Sequence, residues 1–284
     1  NYNDFLSLRL ISPSFLFVLV FIFVFNYVLI SFITKKLLAS LNITIFFKES
    51  FAISIVTGFY NIITPFRGGM AIRALYLKKK HQFSYSHFAS SLWASYILIF
   101  LVSGFIGLVS TLVIYFKEHF FSWILFSIFF LDVIFFLAII IFSPQLKLTN
   151  NKFINKAIQM INGWYLIKDN KKMLFSIVLL SSLQLFLSSL MLQLQFHVFG
   201  IDVSFVNVLF LTSISSLGII IGLTPAGLGI QEAITVFSAL TIGITPVQSL
   251  SAVLLGRAIS FVVLFILGPI FSWLLLKRTG KHLN

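Results

Sequence analysis

The chain has 284 residues, 59% of them hydrophobic and 10% charged, with a mean hydropathy of +1.07. These values exclude a water-soluble globule and imply an all-α polytopic integral membrane protein, one transmembrane domain over 1–284. The 20 basic against 7 acidic residues give a net charge of +13, which in a membrane protein reads as positive-inside loops facing anionic lipid, not as nucleic-acid binding.

A spanning helix needs roughly 20 apolar residues. Ser14–Ile33 is the first such run and ends at Lys35-Lys36. Ser50–Thr64 reaches only about three-quarters of that length before TPFRGG (Thr64–Gly69) halts it. A short half-helix, Met70–Leu77, then runs into Lys78-Lys79-Lys80-His81. Ala89–Phe116 and Phe120–Phe142 span again across a tight Lys117-Glu118-His119 turn, with Asp132 near the middle of the second.

Residues 143–171 form the long polar interval, with Lys147, Lys152, Lys156, Lys168 and Lys171. Within it Phe153, Ile154, Ala157, Ile158, Ile161 and Tyr165 recur at helical spacing, opposite Asn155, Lys156, Gln159 and Asn162. This predicts an amphipathic cytoplasmic helix over about 150–168, lying on the membrane surface with Trp164 at the interface. Met173–Phe199 is the next span, and Phe205–Gly222 leads into GLTPAGLGIQEA (Gly222–Ala233). Ile230–Ile242 leaves that motif, and Val247–Leu276 is the last span, closed by Lys277, Arg278 and Lys281. The halves are thus 14–116 and 173–276. The chain starts at Asn1 without a methionine, and a further helix is expected to precede it.

The basic intervals 34–48, 76–87, 143–172 and the C-terminus are expected to be cytoplasmic. Span parity then requires 50–77 to enter and leave on the cytoplasmic side, and 204–245 on the outer side. Each is either a re-entrant hairpin or two short helices meeting near the midplane. The breaks align as Thr64-Pro65-Phe66-Arg67-Gly68-Gly69 and Thr224-Pro225-Ala226-Gly227-Leu228-Gly229. About twenty residues on, HFASSLWASYILIFLVSGFIG (87–107) matches QSLSAVLLGRAISFVVLFILG (248–268). Each half reads span, broken element, span in opposite orientation, the inverted-repeat pattern that points to a midplane site in transporters.

Pro65 and Pro225 interrupt the helices, while Gly69, Gly227 and Gly229 free the backbone. Half-helices starting near Gly69 and Gly229 offer N–H groups and a positive dipole end to an anion. Arg67 and Arg73 flank the first break, and guanidinium matches phosphate oxygens bidentately. They form either a phosphorylated-headgroup site or, respectively, a snorkelling side chain and part of the Lys78–Lys80 cap. Glu232 and Arg257 are each costly alone in a membrane, so a mutual pair is expected, either structural or a gate. Asp132 is a candidate charge partner for Arg67 or Arg257, or a protonated acid. Asn61, Gln184 and Gln193 either line a cavity or cross-link helices.

Cysteine is absent, and His81, His87, His119, His197 and His282 stand apart with no HxH or HExxH pair, so no metal is expected. No Walker loop, nucleophile elbow or DDxxD cluster is present, and no cofactor is expected.

GLTPAGLGIQEA followed by SAVLLGRAISF resembles the PxGLGxxEA…R hallmark of the lysylphosphatidylglycerol synthase transmembrane-region family. NIITPFRGGMAIRALYLKKK resembles that family's first motif, N-x-x-x-P-x-R-x-G. The resemblance spans nearly the whole chain and marks Asn61, Pro65, Arg67, Gly69, Arg73, Pro225, Gly227, Gly229, Glu232 and Arg257 as substrate-binding positions. This chain departs from many members at Met70, where they carry an acid, and at Ser95-Tyr96, where they carry a Glu-Arg pair. In bifunctional members this membrane unit is the flippase half, and the aminoacyl-transferring domain is separate, so the resemblance implies no synthase activity. It implies a flippase or transporter of a prokaryotic plasma membrane that moves an anionic phospholipid or polyprenyl-phosphate-linked lipid between leaflets. The alternative is a membrane subunit or scaffold for a lipid-modifying aminoacyltransferase or glycosyltransferase partner.

Overall fold

The computed structural model describes residues 13–118, 122–218 and 224–280. Phe120 and His119 at the expected turn, the Gly222-Leu223 entry to the second motif, and Lys281 fall outside these residues. Among the described residues the chain is all-helical: α1 Pro13–Ser40, α2 Phe47–Ile63, α3 Gly68–His81, α4 Tyr85–Glu118, α5 Trp123–Phe142, α6 Lys152–Asp169, α7 Lys171–Val198, α8 Phe205–Leu217, α9 Ile230–Leu240 and α10 Pro246–Gly280. Short 3-10 turns, Pro65–Arg67 and Pro225–Gly227, join α2 to α3 and precede α9.

Among the described residues five helices, α1, α4, α5, α7 and α10, are long and apolar enough to cross a membrane. They correspond to the five runs expected from hydropathy. The four helices flanking the breaks are shorter, 17, 14, 13 and 11 residues for α2, α3, α8 and α9. Within the described residues none reaches the roughly 20 residues of a full crossing, and the part of the α8 run beyond Gly218 lies outside them. Helix α3 does not stop at Leu77 but carries through the lysines to His81, so its basic end is a helical turn rather than a loop.

The element order recurs: a long helix, a broken pair, a long helix. The pairings are reciprocal. Helix α4 of the first half packs on α8 of the second, and α10 of the second packs on α2 of the first. Helix α1 lies on α7, and the two 3-10 turns touch each other. One core cluster joins Leu38, Ile53, Leu77, Leu98, Ile167 and Ile177; a second joins Phe129, Phe196, Leu211, Ile214, Ala239 and Ala252. Helix α5 stands at the periphery and exposes Trp123, Ile124, Leu131, Phe135, Ile141 and Phe142, an apolar face fit for lipid. Its inner face is admitted by small residues on α4, for a Cβ on Gly107 would sit 2.2 Å from the Phe129 ring.

The expected helix forms as α6, and protein covers part of its apolar face. It packs on α4, with Ile158, Trp164 and Ile167 buried. Ser90 donates to the Met160 carbonyl at 2.8 Å, and Gly163 lets that contact close. Trp164 is core rather than interface, its Nε1 donating to Ser143 Oγ at 2.9 Å. Nor is the polar face simply solvated. Asn162 pairs with both backbone groups of Leu146, and Asn155 does the same with Thr149, so the incoming 143–151 strap is stitched along the helix.

Candidate functional site

The first break is built by Thr64, whose extended backbone ends α2, and Pro65, which opens the 3-10 turn. Phe66 and Arg67 then adopt left-handed conformations, φ 52° and 54°, unusual for residues with a Cβ and a mark of a strained, over-determined site. The strain aims Arg67 at α4, where Nη1 donates to Tyr96 Oη at 2.6 Å and the guanidinium lies 5.6 Å from the ring centroid. The partner of Arg67 is thus a neutral phenol.

Gly69 sits where α3 approaches α2 closely. A Cβ there would fall 2.1 Å from the Thr57 carbonyl oxygen and 2.7 Å from Asn61 Oδ1, so the glycine exists to let α3 fold back onto α2. Asn61 Oδ1 is buried at this contact and accepts no hydrogen bond among the described residues. The Gly68 N–H is already taken by the Pro65 carbonyl.

The second break is a closed turn. Gly227 and Leu228 donate to Thr224 and Pro225, and the Thr224 hydroxyl donates to the Leu228 carbonyl at 2.9 Å. Gly227 and Gly229 take φ +70° and +83°, which glycine adopts freely. Glu232, in the first turn of α9, accepts from the Gly229 N–H through Oε2 at 2.9 Å and from Arg257 Nε of α10 through Oε1 at 2.5 Å. Arg257 Nη2 also donates to Gln231 Oε1 at 2.9 Å. The carboxylate is buried, so it occupies the helix end that a ligand anion was expected to approach.

Each of the three motif arginines lines its own cavity. Arg67 faces a space of about 430 Å³ walled by Trp93, Tyr96, Phe100, Phe135 and Phe136. Arg257 faces one of about 370 Å³ lined by Asn26, Tyr27, Gln184, Gln195, Ser215 and Gln231 among others. Arg73 faces a smaller one of about 210 Å³ between α2, α3 and α10. Gln184 therefore lines the polar cavity, whereas Gln193 cross-links to the Val203 carbonyl at 3.0 Å. Asp132 joins neither Arg67 nor Arg257. Its buried Oδ2 accepts no hydrogen bond among the described residues and lies against Gly104, where a Cβ would come within 2.1 Å.

One cluster escaped the sequence because it combines residues from both ends of the α2–α3 hairpin. Buried Glu49 accepts from Tyr76 Oη at 2.7 Å and meets Lys80 Nζ at 3.0 Å and His81 Nε2 at 2.8 Å. It lies beside Lys48 and Lys78–Lys80, outside the spanning segments. Burial pushes its carboxyl up, but the contacts from His81, Tyr76 and Lys80 outweigh that and hold it below the ordinary carboxylate range. A lowered carboxyl contributes stability present above its unfolded pKa and lost as pH falls through the folded one. The hairpin end is therefore expected to loosen only in acid, below about pH 4. In thermal melts against pH, wild type should lose its acid-side stability there and Glu49→Gln should lack that step; identical profiles would remove Glu49 from the clasp.

No curated protein matches the chain. The family described as Lysylphosphatidylglycerol synthase TM region matches residues 6–268, which include both breaks, Glu232 and Arg257. With those residues forming one interlocked membrane unit, this chain belongs to the lysylphosphatidylglycerol synthase transmembrane-region family.

Proposed function

We propose that the protein is a flippase that moves an anionic phospholipid or a polyprenyl-phosphate-linked lipid between the leaflets of a prokaryotic plasma membrane. The contact between the two 3-10 turns carries this reading. Non-helical backbone is tolerated at membrane depth only where protein or a water-lined cavity covers it, and two such breaks in contact support a path between them. The reciprocal pairing of the halves supports an inverted repeat about that contact, with the Lys78–Lys80 end and the C-terminus cytoplasmic.

The headgroup is carried by exchange of partners. Arg257 holds Glu232 and Gln231 when empty; an arriving phosphate takes over its donors, while Glu232 keeps the Gly229 N–H. Asn26, Gln184 and Gln195 give the headgroup polar company in the cavity, so its transfer avoids bare hydrocarbon. The proposal assigns no bond-making step to this chain. It is a transporter rather than an enzyme.

Reconstituted vesicles with fluorescent phosphatidylglycerol or a prenyl-phosphate sugar test this. Wild type should exchange probe between leaflets at least about tenfold faster than Arg67→Ala or Glu232→Ala, the cost of roughly one charge-assisted contact. Gln184→Leu, which makes the cavity apolar without touching the ion pair, should also slow exchange. Equal rates in all variants and in empty vesicles sink the proposal.

A further inference from the structure

Arg73 poses a problem that the translocation path does not solve. It lies in the second turn of α3 and is only 8% exposed. Among the described residues its guanidinium makes no ion pair or hydrogen bond; its Nε is buried without an acceptor, and the Phe88 ring lies 5.8 Å away. A buried cation with no counter-charge is among the costliest arrangements a fold can hold.

Among the described residues the acids lie elsewhere. Glu49 is engaged by Tyr76, Lys80 and His81, and Glu232 by Arg257 and the Gly229 N–H. Asp132 is buried against Gly104 of α4, and Asp202 sits exposed beside His197. No described carboxylate reaches Arg73.

What Arg73 does border is the cavity of about 210 Å³ between α2, α3 and α10. A second orphan shares it: Ser272 Oγ, on α10, is buried and also lacks a partner. Lys79 stands exposed at the rim, and Ile53, Val56, Leu75 and Leu275 give the walls an apolar part beside Thr57, Tyr60 and Tyr76. At about 10–15 Å³ of such space per enclosed water, the cavity has room for a phosphate with its first methylenes.

We propose that this slot is a separate binding site for an anionic amphiphile, a phosphate-bearing lipid whose oxyanion rests on Arg73. Ser272 donates to the same oxyanion, Lys79 screens it from the rim, and the hydrocarbon leaves along Ile53, Val56 and Leu275. The site is distinct from the Glu232–Arg257 cavity, and it stands whether or not the protein moves lipid between leaflets. An occupant there would brace α10 against the α2–α3 hairpin.

Thermal unfolding of the purified full chain in neutral detergent tests the site, independently of any leaflet-exchange assay. The additions are dihexanoylphosphatidylglycerol, dihexanoylphosphatidylcholine and inorganic phosphate, each to wild type and to Arg73→Met. Wild type should be stabilised by the phosphatidylglycerol well beyond the phosphatidylcholine or phosphate. Arg73→Met should melt higher than wild type when no anion is added, because it removes an unpaired buried charge, and should bind phosphatidylglycerol about tenfold more weakly. Should Arg73→Met fail to fold, Lys79→Gln keeps the test open, with an expected smaller loss of the phosphatidylglycerol shift. Equal shifts in wild type and Arg73→Met, or an unchanged shift in Lys79→Gln when that variant stands alone, overturn the site. So does a full shift with inorganic phosphate or with phosphatidylcholine, since either removes the need for an anionic amphiphile.

Discussion

Glu232→Gln is expected to destabilise the protein by about 3–5 kcal/mol, and Arg257→Met by a similar amount, while the double variant recovers most of the loss. The asymmetry follows from burial. The Glu232 and Arg257 side chains are 9% and 16% exposed, so neither charge has enough water to fall back on when the other is removed. Glutamine still accepts from the Gly229 N–H, which confines the damage to the missing charge. Removing both charges eliminates the uncompensated ion, and the remaining penalty is the lost tie between α9 and α10. Unfolding of the four proteins in mixed micelles yields a coupling energy directly. Losses that simply add would mean that the two groups act independently.

The second large effect belongs to Gly69. Gly69→Ala places a methyl group against the Thr57 carbonyl and the Asn61 amide nitrogen of α2, both backbone, so the hairpin must open to admit it. Overpacking of this kind costs about 1–3 kcal/mol or more. The opening would also carry Arg67 away from Tyr96, which stands on a different helix. Gly229→Ala is the informative contrast. Nothing lies within 4 Å of its added Cβ, so its penalty is purely conformational at φ +83°, about 1–2 kcal/mol. Melting temperatures should therefore fall further for Gly69→Ala than for Gly229→Ala. The reverse order would mean that the α2–α3 contact is looser than the geometry states.

The parts of this structure visible in the sequence are those set by solvent. Five spans follow from apolar runs long enough to cross a bilayer, and both breaks follow from proline and glycine where a helix has no use for them. The Glu232–Arg257 pair is legible for the same reason, since two isolated charges at membrane depth demand each other. What stayed hidden depends on which helix meets which. Gly69 gives no sign in the sequence of its close approach to the Thr57 carbonyl, which depends on where α2 lies. Tyr96 stands out in the sequence only as a departure from the resembled family, and its partnership with Arg67 emerges only when α4 brings the two together. The polar face of α6 reads as solvated because the strap that covers it comes from its own linker, through Asn155 and Asn162. Glu49 carries no spacing signal at all, since Tyr76, Lys80 and His81 reach it from the far end of a hairpin.

The reciprocal clasp between the halves also sets an order of events at the ribosome. Helix α2 finishes at Ile63, but α10, which covers it, does not begin until Pro246. At about 5–20 residues per second, the interval is on the order of ten to forty seconds. Throughout that time the α2–α3 hairpin must persist in the bilayer without its cover, held by α1, by the fit at Gly69 and by the Glu49 clasp. These contacts are thus assembly devices, keeping a half-built unit in register for a helix made near the end of synthesis.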